Sequence, residues 1–149
     1  MPQMVAKVCV VLAALTTPQI GAAQTGFSGE WVCKITYTDL TPQGQRISGF
    51  TRDFRMIAHP DGTFVVQGTQ AGADGSTLFQ SYGEWQAHGD RFIAHGPEQS
   101  NAMVQIPGMV FSFMGTANQD GTLSHTYESR DPSQRHVTDR TTYFCKRQE

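Results

Sequence analysis

Glycine-bearing turn signals punctuate this chain at short intervals, and they constrain its fold more than any other feature. "HPDGT" at 59–63, "GADGS" at 72–76, "HGD" at 88–90 and "NQDGT" at 118–122 each place a Gly where a tight turn needs positive φ. The runs between them alternate apolar and polar residues and are rich in aromatic and β-branched side chains, whereas helical periodicity is nearly absent. The pattern predicts eight strands, over 29–38, 49–58, 63–70, 77–87, 91–95, 108–116, 122–130 and 136–145. Consecutive strands on short connections predict an all-β fold, an eight-stranded up-and-down antiparallel barrel. A β-sandwich with its terminal strands adjacent is the alternative.

The first 23 residues, "MPQMVAKVCVVLAALTTPQIGAA", do not fit that pattern. Lys7 precedes an unbroken apolar run from Val8 to Leu15, too short to cross a bilayer, and "GAA" supplies the small residues a signal peptidase cuts after. The expectation is a signal peptide over 1–23 and one domain over 24–149, periplasmic or secreted, with no membrane span. Cys9 lies inside the apolar run, so it is not read as a lipid-anchored cysteine. The chain carries 11 Lys and Arg against 13 Asp and Glu, and loss of Lys7 makes the remainder more acidic still. An acidic surface argues against nucleic acid as a partner.

Cleavage leaves two cysteines, Cys33 near the start of the first strand and Cys145 near the end of the last. An even number in an oxidising compartment predicts a disulfide. If first and last strands pair antiparallel to close a barrel, the start of one lies beside the end of the other, and the cysteines come into bonding range.

Period two assigns faces. Trp31, Cys33, Ile35 and Tyr37 share one side of the first strand. Phe50, Phe54, Met56 and Ala58 form an apolar row on the second, interrupted by Arg52. Strand four separates Tyr82 and Leu78 from Phe79 and Trp85, and strand six sets Met109, Phe111 and Phe113 on one face. His125 alternates with Leu123 and Tyr127.

"FSGEWVC" at 27–33, opening the first strand, resembles the Gly-x-Trp signature that begins lipocalins and related calycin barrels. Gly29 and Trp31 carry the match, and "YGEW" at 82–85 repeats the triplet. The resemblance implies a barrel whose Trp31 plugs the closed end beneath a ligand cavity. The C-terminal helix of lipocalins has no counterpart, since four residues follow Cys145. The resemblance is one of architecture and carries no ligand with it.

No catalytic constellation can be assembled. There is no Gly-x-Ser-x-Gly elbow, and both remaining cysteines are committed to the disulfide. The five histidines are scattered, and His88 and His95 lie on opposite faces of a short strand without a third ligand. His125 reads as a half-buried, hydrogen-bonded side chain ahead of a base. Glu30 and Glu84 each alternate away from a Trp and face solvent if the indoles face in. No enzyme activity, cofactor or metal is therefore expected.

A charge within a barrel must be paired or must meet an ionic ligand. Arg52 either points inward, where it would orient a carboxylate-bearing ligand, or a shifted register puts it outside beside Asp139 or Glu84. The expected ligand contacts are Arg52, Phe54, Tyr82, Phe111, Phe113 and His125. Residues 96–107, "GPEQSNAMVQIP", read as a long loop with Met103, Val104 and Ile106 between two prolines, packed on the core, lidding the mouth or docking a partner. Arg130, Arg135, His136, Arg140, Lys146 and Arg147 make the last third locally basic. Two functions follow: a binding protein for an apolar or amphipathic small molecule, or a periplasmic interaction protein, an enzyme inhibitor or envelope subunit, whose filled barrel presents loops to a protein partner.

Overall fold

The structure, a computed structural model, describes residues 26–101, 107–133 and 135–149. The predicted signal peptide, and Met103, Val104 and Ile106 of the proposed loop, lie outside the described residues. Eight antiparallel strands follow one another around a closed ring: β1 (Gly29–Leu40), β2 (Arg46–Ala58), β3 (Thr63–Gly72), β4 (Gly75–His88), β5 (Arg91–Ser100), β6 (Val110–Ala117), β7 (Leu123–Arg130) and β8 (Val137–Arg147). The alternating burial along β1 to β4 is the period-two pattern of the sequence, with one face in the core and one in water.

β1 closes the ring on β8 over nine residue pairs from Trp31↔Arg147 to Asp39↔Asp139. Cys33 pairs directly with Cys145 in that ladder, with Cα atoms 4.1 Å apart, and the two are disulfide-bonded. The barrel, not the sandwich, is the fold. The turn just ahead of β1 packs over one end, with Phe27 buried 5.8 Å from the Phe92 ring. Trp31 is 2 % exposed and donates its indole N–H to the Phe27 carbonyl at 3.0 Å, while the Arg147 guanidinium lies 4.5 Å over its ring. Trp85 donates to the His59 carbonyl at 2.8 Å and stacks on Phe92 at 5.3 Å. Both Gly-x-Trp indoles thus lie at the same end, each tied to a backbone carbonyl.

β5 is longer than expected. It runs to Ser100, so residues 96–100, read as loop from the Gly96-Pro97 pair, are strand. The reason is the inward row Phe92, Ala94, Gly96 and Glu98, which continues the period across the proline. Gly96 is needed where β4 and β5 cross, because a Cβ there would collide with the Tyr82 carbonyl oxygen. The Pro97 carbonyl accepts a bond from the buried Ser81 hydroxyl at 2.9 Å.

One seam is short. β6 and β7 share only Thr116↔Ser124 and Ala117↔Leu123, so among the described residues their upper edges form no ladder with each other. Phe113 and Tyr143 meet edge to face at 5.5 Å inside the barrel, joining β6 to β8.

The disulfide spans 112 residues of chain, and on the chain-entropy account such a bridge stabilises by about 4–5 kcal/mol. Cys33→Ser should lower the unfolding free energy by about 2–5 kcal/mol in urea titration, with far-ultraviolet circular dichroism unchanged. Retained stability would mean that the strand ladder alone holds the ring shut.

Candidate functional site

The interior has two levels of different chemistry. The lower level is packed with rings. Phe54 meets Phe111 at 5.4 Å, Phe79 at 6.0 Å and Phe113 at 6.2 Å, all edge to face, and Phe64 leans on Phe111 at 5.7 Å. Phe54 is 4 % exposed, and Phe111 and Phe113 are completely buried. These three point inward as expected, but their surfaces are already covered by one another.

Arg52 lies directly above. Its position opposite Ile35 on β1 and Gln70 on β3 aims it inward, so the first of the two sequence alternatives holds. The guanidinium donates from Nη1 to Glu98 Oε2 at 2.7 Å and from Nη2 to Glu98 Oε1 at 2.9 Å, while Nε donates to Gln70 Oε1 at 2.7 Å. Its flat face rests 4.6 Å from the Phe79 centroid. The Glu98 side chain is only 2 % exposed. Fork-to-fork geometry is the strong form of this pair, and each partner here balances a charge that would be costly alone. Glu98 occupies the place reserved in the sequence reading for a ligand's carboxylate.

The upper level opens to solvent. Tyr37 stacks on Phe50 at 5.2 Å and donates its hydroxyl to Asp39 Oδ1 at 2.7 Å. Ser48 Oγ donates to Asp39 Oδ2. The bond to Asp39, then burial and the negative charge of Asp39 and Asp139, pushes the Tyr37 phenol up to about 12. The bonds from Ser48 and Tyr37 in turn hold the Asp39 carboxyl below its usual range. These groups border a cleft of about 340 Å³, lined among others by Tyr37, Asp39, Phe50, Gln70, Asp74 and Thr77. Two carboxylates and no cationic side chain line it.

One expected residue, Tyr82, stands elsewhere, while His125 is half-buried as the alternation with Leu123 implied. Tyr82 is on the outer face and 60 % exposed. The inner face of β4 belongs to Phe79, Ser81 and Trp85, and odd-to-even alternation leaves Tyr82 outside, correcting its assignment to the interior. His125 is half-buried opposite Tyr143, with ring centroids 6.3 Å apart. Sequence reasoning missed Glu98, Gln70, Asp39 and Asp74. Glu98 had a signal in its two-residue spacing from Gly96, which the Gly-Pro pair masked.

Removing one member of the buried pair strands the other. Arg52→Met should cost about 3–5 kcal/mol in urea unfolding, and adding Glu98→Leu to it should restore most of that loss. Additive losses in the double variant would show that the two charges do not depend on each other.

Tyr37 makes the mouth sensitive to alkali. Its folded pKa is raised above the ordinary 10.0, so its contribution is intact below pH 10 and is lost as pH climbs toward about 12. In a phenolate absorbance titration of folded protein, Tyr37→Phe should remove the latest-titrating phase. An unchanged late phase would assign it to another tyrosine.

Comparison with protein-family models and with curated proteins finds no match to this chain.

Proposed function

We propose that the chain is an exported β-barrel binding protein that holds a small amphipathic molecule at its mouth. The open cleft of about 340 Å³ bordered by the Tyr37–Phe50 stack carries the reading. That volume is in the range of small-ligand sites, and an aromatic wall with a few convergent polar groups is their usual chemistry. The ligand sits above the ring-packed lower level and not inside it.

The carboxylates set the head group. With Arg52 neutralised by Glu98, the cleft presents Asp39 and Asp74, and these favour an amine over a carboxylate. An aromatic face beside the site adds to the attraction for a cation. Export is supported by the apolar leader at 8–15 and by a disulfide of the kind that persists in oxidising compartments. The lipocalin-like resemblance agrees with this reading through the packed Trp31 end opposite an open mouth. A second reading, a periplasmic protein-interaction module, is favoured by the short ladder that β6 and β7 share among the described residues, because unpaired strand edges accept extended segments.

A dansyl-labelled alkylamine, its neutral amide analogue and a dansyl fatty acid separate the possibilities. The amine should bind tightest. Asp39→Asn should weaken the amine about ten-fold or more, as expected for loss of a charged hydrogen bond of about 1.5–3 kcal/mol, and leave the neutral probe unaffected. If the wild type binds none of the three, the mouth is not a ligand site and the interaction module takes its place.

A further inference from the structure

A larger concavity lies on the outside of the wall, on β3, β4 and the end of β5. It encloses about 770 Å³ and is lined by Gln67, Thr69, Leu78, Gln80, Gln99 and Asn101, with Gly68, Phe79 and Ser100 behind them. No lining residue carries a charge. The ion pairs of the outer wall begin at its β2 edge, where Asp53 and Arg55 lie opposite Thr69 and Gln67 but are paired with Lys34 and Glu30.

The register explains its order. Gln67 lies opposite Gln80, and Gln80 opposite Gln99, so three amides form a ladder across three strands. Gln80 Nε2 donates to Gln99 Oε1 at 2.9 Å, which leaves the Gln80 side-chain carbonyl and the Gln99 amide N–H groups without a protein partner among the described residues. Among the described residues the Gln67 side chain has no hydrogen-bond partner. Asn101 is fixed at the end of the row, its Oδ1 accepting from Leu78 N at 2.7 Å. On β4 the amide row is flanked by Leu78 and Tyr82, 57 % and 60 % exposed. Each is two residues from Gln80 on the same face, roughly 7 Å along the strand.

We propose that this amide ladder, with Tyr82 beside it, is a binding groove for a neutral oligosaccharide. Each alternative ligand class leaves something unsatisfied. An ionic ligand would give up hydration and meet only Asp53 and Arg55 at the edge, both already paired with Lys34 and Glu30. A purely apolar one would cover the amides and leave their donors and acceptors without partners. A neutral sugar chain presents uncharged hydroxyls that both donate and accept, as planar amides do. Its rings also present a C–H face suited to packing on an exposed tyrosine ring. The fixed strand spacing repeats the amides at regular intervals, which suits a polymer more than a single sugar. The groove is separate from the mouth: Asp39 and Tyr37 face the interior, while Gln80 and Tyr82 face outward.

Titrating labelled protein with neutral hexasaccharides of glucose and of N-acetylglucosamine, and following backbone amide resonances, tests the proposal. At least one should shift Gln67, Gln80, Gln99 and Tyr82. Tyr82→Ala and Gln80→Leu should each weaken that binding about ten-fold or more, while Asp39→Asn leaves it unchanged. All three side chains are at the surface or the rim, and circular dichroism checks that the variants fold. The proposal is overturned if no hexasaccharide shifts these residues, if the shifts survive both groove substitutions, or if an extended uncharged peptide moves them and the sugars do not. Because the mouth variant is scored separately, failure of the groove and failure of the mouth site are distinguishable.

Discussion

The ladder between β1 and β8 holds the ring together. An antiparallel sheet of eight strands has two edges, and it becomes a barrel only when those edges meet in one register. Here the register is fixed twice, by nine backbone pairs and by the Cys33–Cys145 bond at one of them. A slip of one residue against β8 would turn Trp31, Cys33 and Ile35 of β1 outward while Tyr143 stayed inside, because side-chain direction alternates at every residue. The disulfide blocks that slip. The same register sets Arg147 over Trp31 at the packed end and Asp39 opposite Asp139 at the open end. Closure therefore positions both ends of the molecule, and among the described residues the shortest seam, between β6 and β7, lies one strand away from it.

Inside, the Arg52–Glu98 pair divides two environments. Below it, rings pack on rings, and the buried indole N–H groups of Trp31 and Trp85 and the Ser81 hydroxyl each donate to a backbone carbonyl. Above it, Tyr37, Asp39, Ser48 and Gln70 form a hydrogen-bonded rim open to water. An ion pair at such a boundary gains from the dry side, where the attraction is strong, and keeps part of its hydration from the wet side. Phe79 contributes twice, as a core ring under Phe54 and as the surface on which the guanidinium rests. The pair links β2 to β5 across the barrel, so it ties together walls that share no ladder.

Much of this was legible in the sequence, and the failures have physical causes. The turn glycines and the alternation placed all eight strands to within a few residues, except for β5. The two cysteines placed the closing seam, because antiparallel pairing of terminal strands leaves them little choice. Arg52 could be recognised as a charge in an apolar row, but not its direction, because an isolated strand does not reveal its register. Its partner was hidden for a different reason. Glu98 follows Gly96-Pro97, a pair that ordinarily ends a strand, and here the strand continues because Gly96 lets β4 and β5 cross closely. The interior position assumed for Tyr82 had a similar origin. Both faces of β4 carry aromatic or large apolar residues, and only the neighbouring strands decide which one is buried. Asp39 and Asp74 lay at a strand end and a turn, where the usual reading is a solvated carboxylate.

The core and the outer groove are coupled through β4. Its odd residues Phe79, Ser81 and Trp85 pack the interior, and its even residues Leu78, Gln80 and Tyr82 make the outer row. Ser81 is the one buried polar residue in that alternation, and its bond to the Pro97 carbonyl holds β5 in line with β4. That alignment brings Glu98 to Arg52 on the inside and Gln99 to Gln80 on the outside, from adjacent residues of one strand. A single register thus serves an ion pair beneath the mouth and an amide ladder on the wall. Neither can shift along the strand without carrying the other with it.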